Sequence, residues 1–223
     1  MVTAPRHSAF CLLPSAFCIL HSAFCLLAVV CVCLGVLAGG GCSRVYPPAI
    51  DASAAGKLAI EQYDADGDGL IKGAELNKAP ALKAAIKNLD TDGDGGLSAE
   101  EITARINEWQ KDKVGKISLT CTVTRRGQPL RQATVKFVPE KFLGDEIQTA
   151  TGETDEFGIA VLSVPLDPNI PDDLPGVAPG LYRVEITKQG ADIPAIYNTQ
   201  TILGQEVADD SAALRRGIVF ELK

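Results

Sequence analysis

The hydrophobic pattern of the chain changes twice along its length. Residues 1–41 are almost continuously apolar, residues 51–113 carry apolar positions at helical spacing, and residues 116–223 alternate apolar and polar positions. A spacing of 3.6 residues indicates amphipathic helices, whereas a spacing of two indicates half-buried strands. The sequence therefore predicts an α+β chain in two domains, preceded by an apolar leader.

The helical segment divides into three helices with recognisable start signals. The first is predicted over 52–63, the second over 80–89 with a proline at its start, and the third after Ser98. Proline is tolerated there because the first N–H groups of a helix have no intrahelical partner. Ser98 followed by Glu101 forms a capping-box pattern. The third helix also carries an apolar stripe that we interpret as core: Ile102, Ile106 and Trp109.

The β segment consists of short alternating stretches separated by Gly, Pro and Asp turns. Stretches of this length and spacing are typical of a small β-sandwich, here a seven-stranded antiparallel one of Ig-like type. The predicted strands are 117–124, 133–138, 147–153, 159–164, 181–187, 199–203 and 217–222.

One acidic pattern occurs twice between the helices, at residues 64–75 and 90–101. Both copies fit D-x-D-x-D-G-x5-E, which resembles the calcium loop of an EF-hand. Calcium takes six to eight oxygen ligands at about 2.3–2.6 Å, and a loop of this length wraps them around one ion. The two copies therefore predict an all-α EF-hand pair that binds two Ca²⁺ ions.

The resemblance assigns each ligand by its position in the loop. The first, third and fifth residues give carboxylate oxygens, the seventh gives its carbonyl, and the twelfth gives two oxygens. The expected ligands of the first loop are Asp64, Asp66, Asp68, Leu70 and Glu75. Those of the second loop are Asp90, Asp92, Asp94, Gly96 and Glu101.

The two loops differ at their ninth position and are closely spaced. Lys72 cannot act as a ligand, whereas Ser98 can relay a water molecule. The loops begin 26 residues apart, which is shorter than in calmodulin-like pairs and closer to compact bacterial EF-hand and dockerin-like modules. Only brief helices fit between the sites, so the spacing puts the standard paired geometry in question.

The charge distribution agrees with calcium ligands and argues against several other functions. Residues 51–113 hold 13 acids and 8 bases, and eight of these acids are the proposed ligands. The acidity is therefore accounted for, and no basic patch for nucleic acid is present. Both histidines, His7 and His21, lie in the leader. A processed chain would lack Ser-His-Asp and Cys-His nucleophile pairs, so we expect no enzyme activity.

The leader predicts export of the chain. It holds one Arg and no acid, and its small residues 39–41 precede Cys42. This resembles a bacterial lipoprotein signal, in which the peptide is cut before a cysteine that is then lipidated. Residues 42–50 would be the spacer after the lipid anchor. An uncleaved transmembrane anchor is the alternative, because the apolar run exceeds 20 residues.

Residues 116–223 carry three further motifs: the stretch 127–139, the Thr154–Gly158 turn and Pro179–Val184. These motifs resemble those of carboxypeptidase-regulatory-like (transthyretin-like) domains, which occur in many small bacterial lipoproteins, although Gln132 stands where the family usually has Gly. These motifs specify turns and core, so the resemblance implies a non-catalytic sandwich.

The sequence thus predicts an exported, lipid-anchored, calcium-binding protein of the cell envelope, on the periplasmic or surface face. A Pro-rich loop over 165–180 is the candidate surface for a protein partner, because long loops are usually functional or disordered. Two alternatives stay open: a dockerin-like protein-docking module, and a hydrolase that uses the paired carboxylates Asp172 and Asp173.

Overall fold

The structure is a computed structural model that describes residues 47–169 and 173–223. The predicted leader (1–41), the predicted lipidation site Cys42 and Asp172 lie outside the described residues. Ser43–Lys223 forms one compact unit. Within the described residues, no helix has both the length and the apolar character needed to cross a membrane. The predicted division into domains at 113–116 falls in the connection between the last long helix and the first strand.

Three helices come first and begin where the sequence predicts: α1 (Ala52–Tyr63), α2 (Pro80–Leu89) and α3 (Ala99–Lys111). Asp51 caps α1 by accepting the N–H of Ala54 at 3.0 Å. Pro80 opens α2. Ser98 and Glu101 form the predicted capping box at the start of α3. These local signals explain why the helix boundaries are confirmed.

The first and third helices approach each other closely. A Cβ at Gly56 of α1 would overlap the carbonyl of Ala99 and the hydroxyl of Thr103 on α3. The Thr103 hydroxyl also donates to the carbonyl of Ala52 at 3.1 Å. The predicted apolar stripe of α3 is buried, as expected for core residues: Ile102, Ile106 and Trp109.

Eight strands follow in the part of the chain that is described. They are β1 (Leu119–Arg125), β2 (Gln128–Pro129), β3 (Thr134–Pro139), β4 (Ala150–Glu153), β5 (Ile159–Leu162), β6 (Gly180–Thr187), β7 (Gly204–Val207) and β8 (Ile218–Leu222). A short helix, α4 (Ala212–Arg216), precedes β8, and single 3-10 turns lie at Lys141–Leu143 and Ala195–Tyr197.

The strands form two sheets that share one core. In the first sheet β1 pairs with β2, β5 and β8, and in the second the order is β4-β3-β6-β7. Phe137 of β3 and Phe220 of β8 meet edge to face across the sheets, with ring centroids 6.1 Å apart. The buried residues of the helices belong to the same apolar core.

The predicted sandwich is correct in outline and wrong in three details. The described residues form eight strands rather than seven, because the short strand β2 was not predicted. β8 runs parallel to β1, with Cys121 opposite Ile218, so the sandwich is not wholly antiparallel. The predicted strand at 199–203 is also wrong, because residues 199 and 200 lie in a turn, residues 201–203 are irregular, and the strand is Gly204–Val207. Its N–H groups make local bonds, such as that of Ile202 to the carbonyl of Ile196 at 3.0 Å, and cannot enter a ladder.

Candidate metal centre

The first acidic loop begins where α1 ends. Carboxylate oxygens of Asp64, Asp66 and Asp68 all lie within 4.8 Å of one another. Asp64 shapes the loop, because its two oxygens accept the N–H groups of Gly67 at 2.7 Å and Gly69 at 2.9 Å. Both glycines have positive φ, 75° and 87°, a conformation that costs a residue without Cβ little. The chain is thereby wrapped around the three carboxylates.

The second loop repeats this arrangement where α2 ends. Oxygens of Asp90, Asp92 and Asp94 again lie within 4.8 Å of one another. Asp90 accepts the N–H groups of Gly93 at 2.6 Å and Gly95 at 3.1 Å. The sequence repeat is therefore also a structural repeat.

The two loops pair with each other through their eighth residues. Ile71 donates to the carbonyl of Leu97 at 2.9 Å, and Leu97 donates to the carbonyl of Ile71 at 3.1 Å. Both side chains are fully buried. The two predicted carbonyl ligands, Leu70 and Gly96, lie next to this pairing, and a Cβ at Gly96 would be 3.3 Å from that of Leu70. The close spacing of the loops thus does not prevent the paired geometry.

The glutamates at position twelve fasten the ends of each loop together. Glu75 accepts the N–H of Ala65 at 2.7 Å and of Lys72 at 3.1 Å. Glu101 accepts the N–H of Thr91 at 2.8 Å and of Ser98 at 2.9 Å. Both side chains are buried but lie outside the convergent sets of aspartates. Of the eight predicted carboxylate ligands, six are brought together.

These hydrogen bonds keep both glutamates charged. The N–H groups of Ala65 and Lys72 lower the pKa of Glu75. Burial alone would raise the pKa of Glu101, but the donors from Ser98 and Thr91 outweigh it and the pKa is lowered. A carboxylate that accepts several N–H bonds is stabilised in its ionised form. Calcium requires that form.

The donor set fits a calcium ion. Ligands at about 2.3–2.6 Å on opposite sides of one ion are about 5 Å apart, and closer ligands subtend smaller angles. The aspartate oxygens of each loop satisfy this limit. All the converging atoms are carboxylate oxygens, which suit a hard cation such as calcium. A bound ion would supply the positive charge that holds three like charges together.

The ninth position separates the two loops chemically. Lys72 forms an ion pair with Asp68, one of the three convergent aspartates. The hydrogen bond from Lys72 lowers the pKa of Asp68. In the second loop Ser98 occupies this position and its hydroxyl donates to Glu101 at 2.9 Å. The first loop therefore carries a competing cation that the second lacks.

Two residues that support the second loop, Asn88 and Arg105, escaped the sequence prediction, and a third, Trp109, was predicted only as core. Asn88, Arg105 and Trp109 all donate to Glu206 of β7. Glu101, Arg105 and Trp109 recur every four residues on one side of α3, which was the signal that could have linked them. Glu206 itself gave no signal, because it lies outside every predicted strand.

The comparison with protein families supports this site. The family model of the EF hand matches residues 82–104, which include the second acidic loop. No curated protein and no solved structure matches the chain significantly. The EF-hand match and the convergent acidic loops suggest that the protein binds calcium.

Proposed function

We propose that each acidic loop binds one Ca²⁺ ion, so that the protein holds two. The ligands would be Asp64, Asp66, Asp68, Leu70 and Glu75 in the first loop, and Asp90, Asp92, Asp94, Gly96 and Glu101 in the second. The observation that carries the proposal is the convergence of three aspartate oxygens within 4.8 Å in each of two paired loops. Glu75 and Glu101 would turn from their backbone donors toward the ion.

Calcium titration calorimetry on residues 43–223 tests this proposal. We expect a stoichiometry of two and dissociation constants of about 10⁻⁵–10⁻³ M, the range of extracellular modules. Trp109 is the single tryptophan and lies two turns after Glu101 on α3, so its fluorescence should follow calcium at the second loop. A stoichiometry of one would remove the first loop from the proposal, and no heat or fluorescence change would remove both.

We further propose that the protein is exported and anchored to a membrane by a lipid on Cys42. The support is the apolar leader and the small residues before this cysteine. Stable anchoring takes two acyl chains or a second signal. Cys42→Ser should release the protein from the membrane or stop its processing, as seen by fractionation and intact mass. Unchanged mass and membrane retention would favour an uncleaved anchor.

The β region is proposed to be a non-catalytic carboxypeptidase-regulatory-like module. Its two packed sheets agree with the sandwich that the sequence motifs imply. The rival hydrolase is disfavoured by the state of Asp173, whose two oxygens accept the Lys116 ammonium at 2.6 Å and 2.8 Å. This ion pair lowers the pKa of Asp173, which is unfavourable for a general acid. An activity screen against ester, glycoside and phosphoester substrates tests the proposal, and turnover abolished by Asp173→Asn would overturn it.

A further inference from the structure

Two buried glutamates of the β region contact the helices that flank the two calcium loops. Glu140 follows β3 and Glu206 lies in β7, and the two residues are only 1% and 2% exposed. Charged groups are rarely buried unless they are paired, because the loss of hydration costs several kcal/mol. Each of these carboxylates accepts a hydrogen bond from the last turn of a helix that leads into a calcium loop.

At the first acidic loop, which with its flanking segments we call the first hand, a tyrosine holds the end of α1. Tyr63, the last residue of α1, donates its hydroxyl to Glu140 at 2.8 Å. Its ring also packs edge to face on Phe142, with centroids 6.4 Å apart. The next residue is Asp64, the first ligand of the first loop. Displacement of that ligand would therefore disturb a contact with the β region.

In the second hand, which consists of the second acidic loop with α2 and α3, one carboxylate holds both helices. Asn88, near the end of α2, donates to Glu206 Oε2 at 2.5 Å. On α3, Arg105 Nε donates to Glu206 Oε1 at 2.6 Å and Trp109 Nε1 at 3.3 Å. The two outer nitrogens of Arg105 also bind Asp210, each at 2.8 Å. The helices on either side of the second calcium loop thus donate hydrogen bonds to one carboxylate in β7.

The backbone of β7 also touches the other end of α2. A Cβ at Gly204, the first residue of β7, would overlap the carbonyl of Pro80 and the N–H of Ala81. Glycine is therefore required at this crossing, and α2 lies against β7 from its first residue to Asn88. A change in the angle of α2 would move it away from Gly204 or Glu206.

We propose that calcium at the second loop stabilises β7 and its partner β6 through Glu206, so that the sandwich edge responds to calcium. The inference rests on the calcium binding proposed above. Calcium ligands at Asp90 and Glu101 set the relative positions of α2 and α3, which flank the loop. If the helices separate, Glu206 loses donors while still buried, so the helices and the strand change together. The positions of α2 and α3 and the stability of β7 are thereby coupled.

Hydrogen exchange on residues 43–223 measures this coupling directly. The readout is the protection of the amides that join β6 and β7, where Leu181 faces Glu206 and Tyr182 faces Gln205. Exchange reports the free energy of local opening. At a hundredfold excess of calcium over its dissociation constant, we expect protection to rise by up to about 100-fold. Unchanged β7 protection, while calorimetry shows binding, would overturn the inference and leave the proposed function intact.

Variants show whether the effect passes through Glu206. Glu206→Gln keeps the shape but removes the charge, and we expect the calcium-dependent gain in β7 protection to fall at least about tenfold below that of the wild type, a difference of about 1.4 kcal/mol. Asn88→Ala serves if that variant does not fold, because Asn88 is exposed and alanine favours helix. Glu221→Gln, an exposed position on β8, is the matched control and should behave as the wild type.

The outcomes separate the two proposals. Absence of calcium binding in calorimetry would overturn both. A full gain in β7 protection in both Glu206→Gln and Asn88→Ala would show that the coupling does not pass through this carboxylate. Because coupling is reciprocal, each variant should also lower calcium affinity. The factor should be no larger than the factor by which that variant reduces the calcium-dependent gain in β7 protection.

Discussion

The two acidic loops are identical at six of their twelve positions, including all the predicted carboxylate ligands, but they differ in what surrounds them. The second loop lies between two full helices, and Glu206 binds both of them through Asn88, Arg105 and Trp109. The first loop follows a full helix but leads only into a turn at 73–78. Its helix α1 contacts the β region through Tyr63, whose hydroxyl donates to Glu140 and whose ring packs on Phe142.

The two buried glutamates that hold the helices, Glu140 and Glu206, also differ in how completely their charges are satisfied, and we call them the two anchors. Both oxygens of Glu206 accept hydrogen bonds, whereas Oε1 of Glu140 has no hydrogen-bond partner and Arg183 Nε stands 3.9 Å from Oε2. Burial raises the pKa of Glu140, and the nearby Tyr63 and Arg183 only partly oppose this effect. The comparison indicates that the second loop is the more strongly attached one. The first is attached through Tyr63, and its hydrogen-bond acceptor Glu140 is incompletely satisfied.

Breaking the contacts of Glu206, the stronger anchor, should give the largest loss of stability. Arg105→Ala leaves Glu206 buried without its cationic partner, and we expect a loss of about 3–5 kcal/mol in the free energy of unfolding. Tyr63→Phe removes one donor from Glu140 and should cost less, about 1–3 kcal/mol. Urea unfolding with excess calcium measures both. Lys111→Ala on the same helix as Arg105 is an exposed control with an expected change within about 0.5 kcal/mol. Equal losses for the two anchor variants would contradict the comparison.

The helices and the carboxylates of the site were predictable because their signals are local. Pro80, Ser98 and the spacing of aspartates and glycines fix structure within a few residues, and the structure confirms the helix starts. The anchors could not be predicted in this way. Arg105 and Glu206 are 101 residues apart, and a charged residue in an alternating segment is usually exposed.

The misplaced strand explains part of what was missed. Residues 199–203 are rich in β-branched residues, as strands are, but the hydroxyl of Thr201 donates to the carbonyl of Val184 and accepts the N–H of Leu203. The chain therefore enters the sheet only at Gly204, where the absence of a side chain lets α2 approach. A pattern of apolar positions cannot show that a backbone must pass close to a helix from another part of the chain.

Removal of the twelfth-position carboxylate should distinguish the two loops by calcium affinity. Glu101→Gln should weaken the second site by about 10- to 100-fold, the equivalent of a lost charge-assisted contact of about 1.5–3 kcal/mol. It should also reduce the Trp109 response, since the two residues share α3. Glu75→Gln should weaken the first site and leave most of the fluorescence change. Calorimetry with parallel fluorescence checks both, and a larger fluorescence loss for Glu75→Gln would contradict the assignment.

The dependence of stability on pH should reveal the weak anchor of the first hand. The pKa of Glu140 is raised above its ordinary value of 4.5, so the folded state binds this proton more tightly than the unfolded state. Its contribution to stability is therefore present below pH 4.5 and is lost as pH rises through the folded pKa. Glu140→Gln removes this loss.

The expected result is a variant whose stability relative to the wild type improves from pH 4.5 to 7.5, as measured by urea unfolding at both pH values. Comparison with the wild type at each pH removes the opposite contributions of Glu75 and Glu101, whose pKa values are lowered. Glu156→Gln is the matched exposed control and should show no such trend. A relative stability that declines with pH would show that Glu140 is better stabilised as an anion than its surroundings indicate.

The smallest expected effect concerns the ninth position, where one substitution should make the first loop resemble the second. Lys72→Ser removes the ammonium that pairs with Asp68, so calcium no longer competes with it for that carboxylate. The pair is exposed, with 45% of the lysine side chain accessible, and exposed pairs contribute about 0.2–1 kcal/mol. We therefore expect calcium affinity at the first site to rise about 1.5- to 5-fold, measured by calorimetry in a Glu101→Gln background.

Lys57→Ser changes the net charge equally from an exposed position on α1, and should raise affinity less. The difference between the two variants should shrink as salt is added, because added ions screen exposed charges. Equal gains would mean that the first loop responds only to the overall charge, and that the ninth position does not distinguish the hands.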